Sequence, residues 1–255
     1  MLRVEREGGI ATWTLDRPHA KNALGWELID ALTLALDEAV KDRSLRALIL
    51  TGAGGAFASG GDLRELHGKT SVPEATKFAA AGEEICRRLV ELDAPVIAAI
   101  SGVAFGGGAE LACACDMRIA DETARISFKQ VRMGVTTAWG TIPRLVSIVG
   151  HGSAARLLYT AHDVTAGEAR AIGLVDHVCE KGTAALVAHA WALDVVAGSP
   201  HAISEMKQLL RATRAPSSSI TEDERTRFVA TWTGPDHAEA MDAYFARRPP
   251  SWRGR

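Results

Sequence analysis

Two predominantly apolar runs, each followed by a glycine-rich loop, constrain the fold of this chain more than any other feature. The first run, 45–50, leads into GAGGAFASGGDL, and the second, PVIAAISG at 95–102, leads into VAFGGGAELACACD. Runs without polar alternation are typical of parallel strands that are covered on both faces of a sheet. Amphipathic helical patterns before and between the runs predict βαβ units, and therefore an α/β fold.

The remaining pattern predicts an opening hairpin over 2–7 and 10–16 around Gly8 and Gly9, and mostly helices beyond residue 138. Thr165 followed by Glu168 forms a capping box at the start of one of these helices. The predicted short strands are 117–120, 125–128 and 174–178. The predicted helices are 25–42, 74–92, 138–149, 151–160, 165–172, 183–197, 200–213, 220–231 and 235–247, with a polar break at 215–219.

Composition excludes several classes of protein. With 255 residues, 47% of them hydrophobic, the chain can form one large domain with a substantial core. A net charge of −2 gives no electrostatic reason to expect nucleic acid or an anionic membrane as a partner. The N-terminus has no signal-peptide pattern, and the apolar stretch 95–115 is too interrupted to span a membrane. We therefore expect a cytoplasmic protein.

Cysteine and histidine spacing predicts neither disulfides nor a metal site. The four cysteines, Cys86, Cys113, Cys115 and Cys179, lack zinc spacing, and the eight histidines form no metal-binding pair. Small buried thiols in a reducing compartment are the expected reading.

The glycine loops follow strands at the end of a parallel sheet where α/β folds bind ligands. Gly107 would begin a helix, whose first turn has free N–H donors and a partial positive charge. Glu110 lies one turn later, on the same face. An N–H donor beside a carboxylate suits chemistry at a carbonyl, where one group stabilises the oxygen and the other moves a proton.

Other glycine-containing binding and catalytic motifs do not match this sequence. Phe57 occupies the third glycine position of a GxGxxG dinucleotide motif, and no GxxxxGK[ST] is present. The same Phe57 replaces the first glycine of a GxSxG nucleophile elbow around Ser59. We therefore interpret Ser59 as a backbone donor and not as a nucleophile.

These motifs together resemble the crotonase superfamily, the enoyl-CoA hydratase/isomerase family. The matching segments are LDRPHAKNAL at 15–24, LILTGAGGAFASGGDL at 48–63, ISGVAFGGGAELACACDMRIAD at 100–121, GEARAIGLVDHV at 167–178 and the ending DAYFARRPPSWRGR. The resemblance implies a spiral core of ββα turns over 1–195 and a C-terminal helical trimerisation region over 196–255. It also implies a homotrimer or hexamer, an acyl-CoA thioester as substrate, no cofactor besides the substrate's own coenzyme A, and a place in fatty acid metabolism.

The resemblance assigns roles by motif position. Ser59 and Gly107 would supply the two N–H groups of an oxyanion hole, and Glu110 matches the first of two glutamates that position and activate water in hydratases. The residues expected to contact coenzyme A or the acyl group are Ala20, Lys21, Ser59, Gly60, Gly61, Asp62 and Gly107.

Two positions depart from the family pattern. Gln130 occupies the place of the second glutamate, and an amide can orient water but cannot exchange a proton. Trp139 replaces a small residue, and it could fill the acyl pocket or pack beneath the following helix.

Three functions stay open. The first is hydration of a short or medium enoyl-CoA through Glu110 with Gln130 orienting water. The second is decarboxylation of a methylmalonyl- or ethylmalonyl-type CoA with Glu110 as the acid, because GGGAEL, ACDMR and MGVTTAWG resemble the ethylmalonyl-CoA decarboxylase branch. The third is a non-catalytic CoA-binding protein on the same fold.

Overall fold

The computed structural model describes residues 1–214 and 218–252, so residues 215–217 of the predicted polar break and the last three residues of the tail lie outside the description. The strands are β1 Leu2–Glu7, β2 Ile10–Leu15, β3 Ala47–Gly52, β4 Val96–Ile100, β5 Val103–Phe105, β6 Met117–Asp121, β7 Arg125–Ser127, β8 Val164–Thr165 and β9 His177–Cys179. The helices are α1 Trp26–Lys41, α2 Leu63–Leu66, α3 Val72–Glu91, α4 Gly107–Ala114, α5 Thr141–Thr160, α6 Ala166–Ala171, α7 Ala184–Ala197, α8 Pro200–Arg214, α9 Ser218–Trp232 and α10 Pro235–Phe245. Short 3₁₀ helices span Pro18–Ala20 and Lys129–Met133.

The main sheet has six strands in the order β1-β2-β3-β4-β6-β9. Only the opening hairpin of β1 and β2 is antiparallel, and every later pair in this sheet is parallel. The predicted βαβ arrangement is therefore confirmed. Because β3 and β4 are neighbours, their carboxyl ends meet at the same edge of the sheet.

Both faces of this sheet are covered. Leu48 and Leu50 of β3 face the large core formed with α1 and α3, whereas Ala47 and Ile49 face a smaller cluster with α7. This alternation explains why the run reads as continuously apolar, since neither face meets water. The mixed α/β fold expected from the sequence is confirmed.

A second sheet contains β5, β7 and β8. Strand β5 directly precedes α4, and its pairing with β7 holds the start of that helix in place. The sequence pattern did not predict β5, β8 or the single turn of α2, because these elements are only two to four residues long.

Several predicted boundaries were wrong. The first apolar strand begins at Ala47 and not at 45, and the strand predicted at 174–178 is reduced to His177–Cys179. Leu174 is buried within a turn, where its N–H donates to the carbonyl of Ala169 at 2.7 Å. The helices predicted at 138–149 and 151–160 form one element that starts at Thr141 and kinks at Gly150.

The C-terminal helices pack onto the core. Lys207 of α8 is buried and donates to the carbonyls of Leu89 and Ala94, at 3.2 and 2.9 Å. Its ammonium also lies 2.8 Å from the carboxylate of Asp116. One buried cation therefore ties α8 to the end of α3 and to the segment before β4.

Cys86, Cys113 and Cys115 are buried free thiols, as predicted, and Cys179 is partly exposed. Within residues 1–214 and 218–252, no helix is both long enough and apolar enough to cross a bilayer. In the same ranges no group of three His, Cys, Asp or Glu side chains is arranged to hold a metal ion.

Candidate active site

A cavity of about 1240 Å³ opens at the carboxyl ends of β3 and β4. Its size exceeds that of most pockets for drug-sized ligands, which suits a long and flexible molecule. Every residue that the sequence marked as a site candidate lines this cavity: Ala20, Lys21, Ser59, Gly60, Gly61, Asp62, Gly107, Glu110 and Gln130.

Backbone hydrogen bonds join the two glycine loops. The N–H groups of Phe57 and Ala58 donate to the carbonyl of Val103 at 3.0 Å, and Phe105 donates back to Ala58 at 2.9 Å. A Cβ on Gly60, which has φ of +102°, would lie only 3.6 Å from the nitrogen of Gly107. Two loops that are distant in sequence therefore form one continuous surface.

Gly107 is the first residue of α4, so its N–H has no partner within the helix. The preceding Gly106 has φ of +51°, a conformation that turns the chain sharply from β5 into α4. In the described part of the chain no backbone or side-chain acceptor bonds to the Gly107 N–H. As predicted, a free donor at the positive end of a helix lies at the cavity wall.

Ser59 does not offer the second donor. Its N–H donates to the carbonyl of Lys21 at 3.0 Å, and its hydroxyl donates to the carbonyl of Ala20 at 3.2 Å. The prediction that the Ser59 amide forms half of an oxyanion hole is therefore wrong, because that amide is already bonded within the protein. Ser59 instead anchors the 20–21 segment to the first glycine loop.

The backbone N–H of Gly61, unlike that of Ser59, is not bonded to any residue that the structure describes. Leu24 donates to the carbonyl of Gly60 at 2.7 Å and accepts from the N–H of Asp62 at 3.2 Å. In this parallel bridge the N–H of the intervening Gly61 points away from Leu24, and no described residue accepts it. Among the described residues the amides of Gly60, Gly61 and Gly107 therefore have no acceptor, and all three glycines line the cavity.

The Ala20–Lys21 segment is held from below by Asn22, which the sequence analysis missed. The Asn22 side chain is fully buried, donates to the carbonyls of Ala53 and Ala56 at 2.9 and 2.7 Å, and accepts from the N–H of Arg17 at 2.8 Å. Its φ of +56° is a conformation that asparagine tolerates well. The only signal in the sequence was the presence of an asparagine in the segment KNAL at 21–24.

Asp62 has a structural role beside its place in the cavity wall. Its carboxylate accepts from the Arg17 guanidinium at 2.9 Å and from the N–H of Arg64 at 3.1 Å, where it caps α2. These bonds fix the turn that presents Gly61.

Glu110 lies one turn into α4, only 3% exposed, with its carboxylate among donors. Its Oε2 accepts from the N–H of Trp139 at 3.0 Å and from the Thr141 hydroxyl at 2.8 Å, and its Oε1 accepts from the Gln130 amide. These three donors fix the orientation of the carboxylate and favour its ionised form.

Burial opposes ionisation and dominates. Removal from water, followed by repulsion from the carboxylate of Glu224, raises the pKa of Glu110 to about 7 against the three hydrogen bonds. A carboxyl group with this pKa can both accept and donate a proton near neutral pH.

Gln130 lies on the 3₁₀ helix before α5 and turns its NH₂ group to Glu110. Its carbonyl Oε1 is buried at the cavity without a partner among the described residues. A water molecule or a substrate hydroxyl could therefore donate to Oε1 next to the Glu110 carboxylate.

Trp139 packs against α3 and α4 and not beneath the following helix α5, and its place in an acyl pocket stays a prediction. Its ring is buried, lines the cavity and lies between α3 and α4. A Cβ on Gly82 would lie 1.9 Å from its Cε2, and one on Gly107 would lie 2.6 Å from its Cη2. The ring thus packs where both glycines leave space, and it bounds the cavity directly beside the Gly107 donor.

The sequence analysis also missed the residues that hold Glu110 from behind. Thr141 and Glu224 come from α5 and α9, and no local motif marks either of them. Glu224 is as buried as Glu110 and accepts from the hydroxyl of Thr137 and from the N–H of Thr141.

Comparison with known proteins agrees with this architecture. The sequence profile described as enoyl-CoA hydratase/isomerase matches residues 5–255. The chain is 36% identical to the short-chain-enoyl-CoA hydratase of Clostridium acetobutylicum, over 96% of this chain and 94% of that protein. It is 31% identical to the 2,3-dehydroadipyl-CoA hydratase of Escherichia coli, over 100% of this chain and 99% of that protein.

Among solved structures, the enoyl-CoA hydratase from Bacillus anthracis superposes with a TM-score of 0.81 at 28% identity, covering 100% of this chain and 99% of that one. The chain belongs to the enoyl-CoA hydratase/isomerase family, and its fold is the crotonase fold. The local resemblance to the decarboxylase branch stays a prediction.

Proposed function

We propose that this protein is an enoyl-CoA hydratase that adds water to the α,β double bond of a short or medium acyl-CoA thioester, with Glu110 as its single acid–base residue. One observation carries the proposal. Glu110, with a pKa of about 7, lies in the cavity wall one helical turn from a free backbone donor. The hydratase names of the relatives support the same reaction.

The thioester oxygen would accept from the N–H groups of Gly107 and Gly61. Both amides lack a protein acceptor among the described residues, and they belong to loops that are bonded to each other. As negative charge develops on the oxygen, these donors and the N-terminus of α4 stabilise it. Removing one such donor from an oxyanion hole typically lowers kcat by about 10²–10³-fold.

Water would lie between the Glu110 carboxylate and the Gln130 Oε1. Glu110 removes one proton while the water oxygen bonds to Cβ, and the electrons of the C=C bond move to the thioester oxygen as an enolate. Glu110 then returns that proton to Cα, and the thioester carbonyl re-forms. The hydroxyl on Cβ and the hydrogen on Cα both come from the same water molecule, so Gln130 need not carry a proton.

Crotonyl-CoA tests the proposal directly. We expect loss of its conjugated absorbance on incubation with the protein, and a decrease in kcat of about 10²–10⁴-fold in Glu110→Gln. Because the free enzyme must hold Glu110 ionised to act as a base, kcat/KM should rise with pH through about 7.

Parallel incubations with methylmalonyl-CoA and ethylmalonyl-CoA distinguish the alternative. A decarboxylase needs Glu110 protonated to donate to the α-carbon, so its kcat/KM would fall as pH rises through about 7. Turnover of the malonyl thioesters alone would reject hydration, and tight CoA binding without any turnover would favour the non-catalytic reading.

We also propose that the protein assembles as a trimer or hexamer through its C-terminal region. Large apolar side chains of α8 are exposed in the single chain, namely Met206, Leu209 and Leu210. Exposed apolar clusters of this kind are typical of protein interfaces. Sedimentation equilibrium should give a mass that is a multiple of three chains, and a monomer would contradict this.

A further inference from the structure

A second buried carboxylate lies behind Glu110, away from the cavity. Glu224 of α9 and Glu110 of α4 are each 3% exposed, and Thr141 connects them. The Thr141 hydroxyl donates to Glu110 Oε2 at 2.8 Å, while its N–H donates to Glu224 Oε1 at 3.1 Å. One residue therefore contacts both carboxylates, and Glu224 itself is absent from the cavity wall.

The bonding of Glu224 is one-sided. The Thr137 hydroxyl and the Thr141 N–H both donate to Oε1, whereas Oε2 is buried without a partner within the described ranges. An ionised carboxylate with one bare, buried oxygen is unfavourable. Burial raises the pKa of Glu224 and outweighs the Thr137 hydroxyl, the N–H groups of Thr141 and Ile142, and the charge of Arg144, which all favour the ionised form.

The surroundings do not neutralise the pair. Arg144 of α5 is the cation that favours the ionised form of Glu224, but its guanidinium also donates to the carbonyl of Trp139. Arg225 is paired with Glu83 of α3 at 3.4 Å. The remaining titratable neighbours, Cys86 of α3 and Cys113 of α4, are buried thiols whose pKa values are raised, so they stay neutral.

We propose that Glu224 is a positioning residue that acts on Glu110 through Thr141 and through its charge, so that the buried pair of carboxylates retains one proton near neutral pH. Two like charges in a dry region cannot both ionise readily, so they titrate as a coupled pair. The inference rests on the proposed function in that Glu110 is the acid–base residue.

This arrangement gives a physical account of the missing glutamate at position 130. Gln130 contributes a hydrogen bond to Glu110 but no charge, so it cannot raise the proton affinity of its neighbour by repulsion. Glu224 supplies that repulsion from the opposite side, and it does so from a helix of the C-terminal region. The second carboxylate of the site is thus outside the cavity and never meets the substrate.

Glu224→Gln tests the inference with little change in shape. The amide oxygen can keep both bonds to Oε1, and the NH₂ group replaces the oxygen that has no partner. We expect the Glu110 carboxyl to titrate about one pH unit lower, a tenfold change in its acid dissociation constant. The measurement is ¹³C NMR of the full-length, ligand-free protein labelled at glutamate side-chain carboxyls, with Glu110→Gln identifying the signal.

The kinetic readout is the pH profile of kcat/KM with crotonyl-CoA, whose acidic limb should move down by the same amount while KM at pH 8 stays unchanged. Glu224→Asp, which keeps the charge, should restore most of the wild-type profile. Glu83→Gln is the matched control, because it removes one negative charge next to Arg225 without facing Glu110. It should shift the Glu110 titration far less than Glu224→Gln does.

An unchanged Glu110 titration in Glu224→Gln, or an equal shift in Glu83→Gln, would overturn the inference. If Glu224→Gln does not fold, Thr137→Val replaces it. Loss of that hydroxyl donor moves the shared proton onto Glu224, so Glu110 should again titrate lower, and no shift refutes the idea. If crotonyl-CoA is not hydrated, the proposed function fails, while the NMR titration still decides the role of Glu224.

Discussion

The contact between Trp139 and Gly82 gives the sharpest test of how the cavity wall is packed. A Cβ at residue 82 would lie 1.9 Å from Cε2 of the indole, far inside van der Waals contact. Gly82→Ala should therefore lower the free energy of unfolding of the wild type but not that of a variant without the indole. A double-mutant cycle of Gly82→Ala and Trp139→Ala measures this coupling.

The magnitudes follow from the structure. Gly82 lies inside α3, where alanine is favoured over glycine by about 1 kcal/mol in the absence of a clash. Overpacking against the indole costs about 1–3 kcal/mol and, with so short a contact, should lie near the upper limit. Gly82→Ala should then destabilise the wild type by about 2 kcal/mol and stabilise Trp139→Ala by about 1 kcal/mol, a coupling of about 3 kcal/mol.

The assay is urea unfolding of the four proteins. Trp139→Ala itself should lose about 3–5 kcal/mol, as expected for removing a buried indole. Gly152→Ala is the matched control, because a Cβ there meets no heavy atom within 4 Å. It should change the free energy of unfolding equally in both backgrounds. Additivity of Gly82→Ala and Trp139→Ala within about 0.5 kcal/mol would refute the contact.

The same substitution has a functional consequence. The indole also covers Gly107, so Trp139→Ala should enlarge the cavity next to this donor, where we propose that the acyl group binds. Each additional buried methylene contributes about 0.8 kcal/mol, or about fourfold in kcat/KM. The ratio of hexenoyl- to crotonyl-CoA hydration should rise in the variant, and an unchanged ratio would contradict Trp139 as the boundary of the acyl site.

Three further predictions concern other parts of the molecule. Gln130→Leu should lower kcat for crotonyl-CoA by about 10–100-fold with little change in KM, because it removes the hydrogen bond to Glu110 and the acceptor proposed for the water. Lys207→Met should destabilise the protein by about 2–3 kcal/mol in urea unfolding, because two carbonyls and the Asp116 carboxylate lose their donor, whereas exposed Arg211→Met should change it by less than about 0.5 kcal/mol. The raised pKa of Glu110 contributes stability that is complete below its unfolded value of 4.5 and is lost as pH rises through about 7. From pH 5 to pH 8 the free energy of unfolding of Glu110→Gln should therefore rise relative to that of the wild type by about 2–3 kcal/mol.

Most of the fold could be predicted because its signals are local. Leu28, Leu32 and Leu36 recur at helical spacing and are all buried in α1. Residues 47–50 of β3 and all of β4 are apolar at every position, as expected for strands covered on both faces. Boundaries were less accurate where tertiary bonds decide them, as at Trp139, whose N–H is held by Glu110 before α5 begins.

The choice between Ser59 and Gly61 shows where sequence reasoning stops. Which N–H groups of the loop stay free depends on which residues pair with a neighbouring segment, and Gly60, with φ of +102°, breaks the regular alternation of an extended chain. Here the carbonyls of Lys21 and Leu24 accept from the amides of Ser59 and Asp62, which leaves the amides of Gly60 and Gly61 free. The pairing partner lies more than thirty residues away, and nothing in AFASGGDL records it.

The contacts that set the chemistry of Glu110 are equally non-local. Its neighbours Gln130, Trp139 and Thr141 come from one stretch, but Glu224 comes from a helix near the opposite end of the chain. A buried glutamate in an otherwise polar segment is not distinguishable from a solvated one until the packing of α9 is known.

With Gln130 in the place of the second glutamate, the site still needs a group that accepts and donates a proton, but only one carboxyl in the cavity is available for it. A glutamate at that position could donate to Glu110 only while it is protonated, whereas the amide of Gln130 is a donor at every pH. The amide therefore orients the carboxylate at every pH, and in the proposed reaction Glu110 alone transfers the proton. For one group to take a proton from water and return it to carbon, its pKa must lie near the working pH. Burial, together with repulsion from Glu224, raises the pKa of Glu110 to about 7, so in the proposed reaction a single glutamate in the cavity can serve both proton transfers.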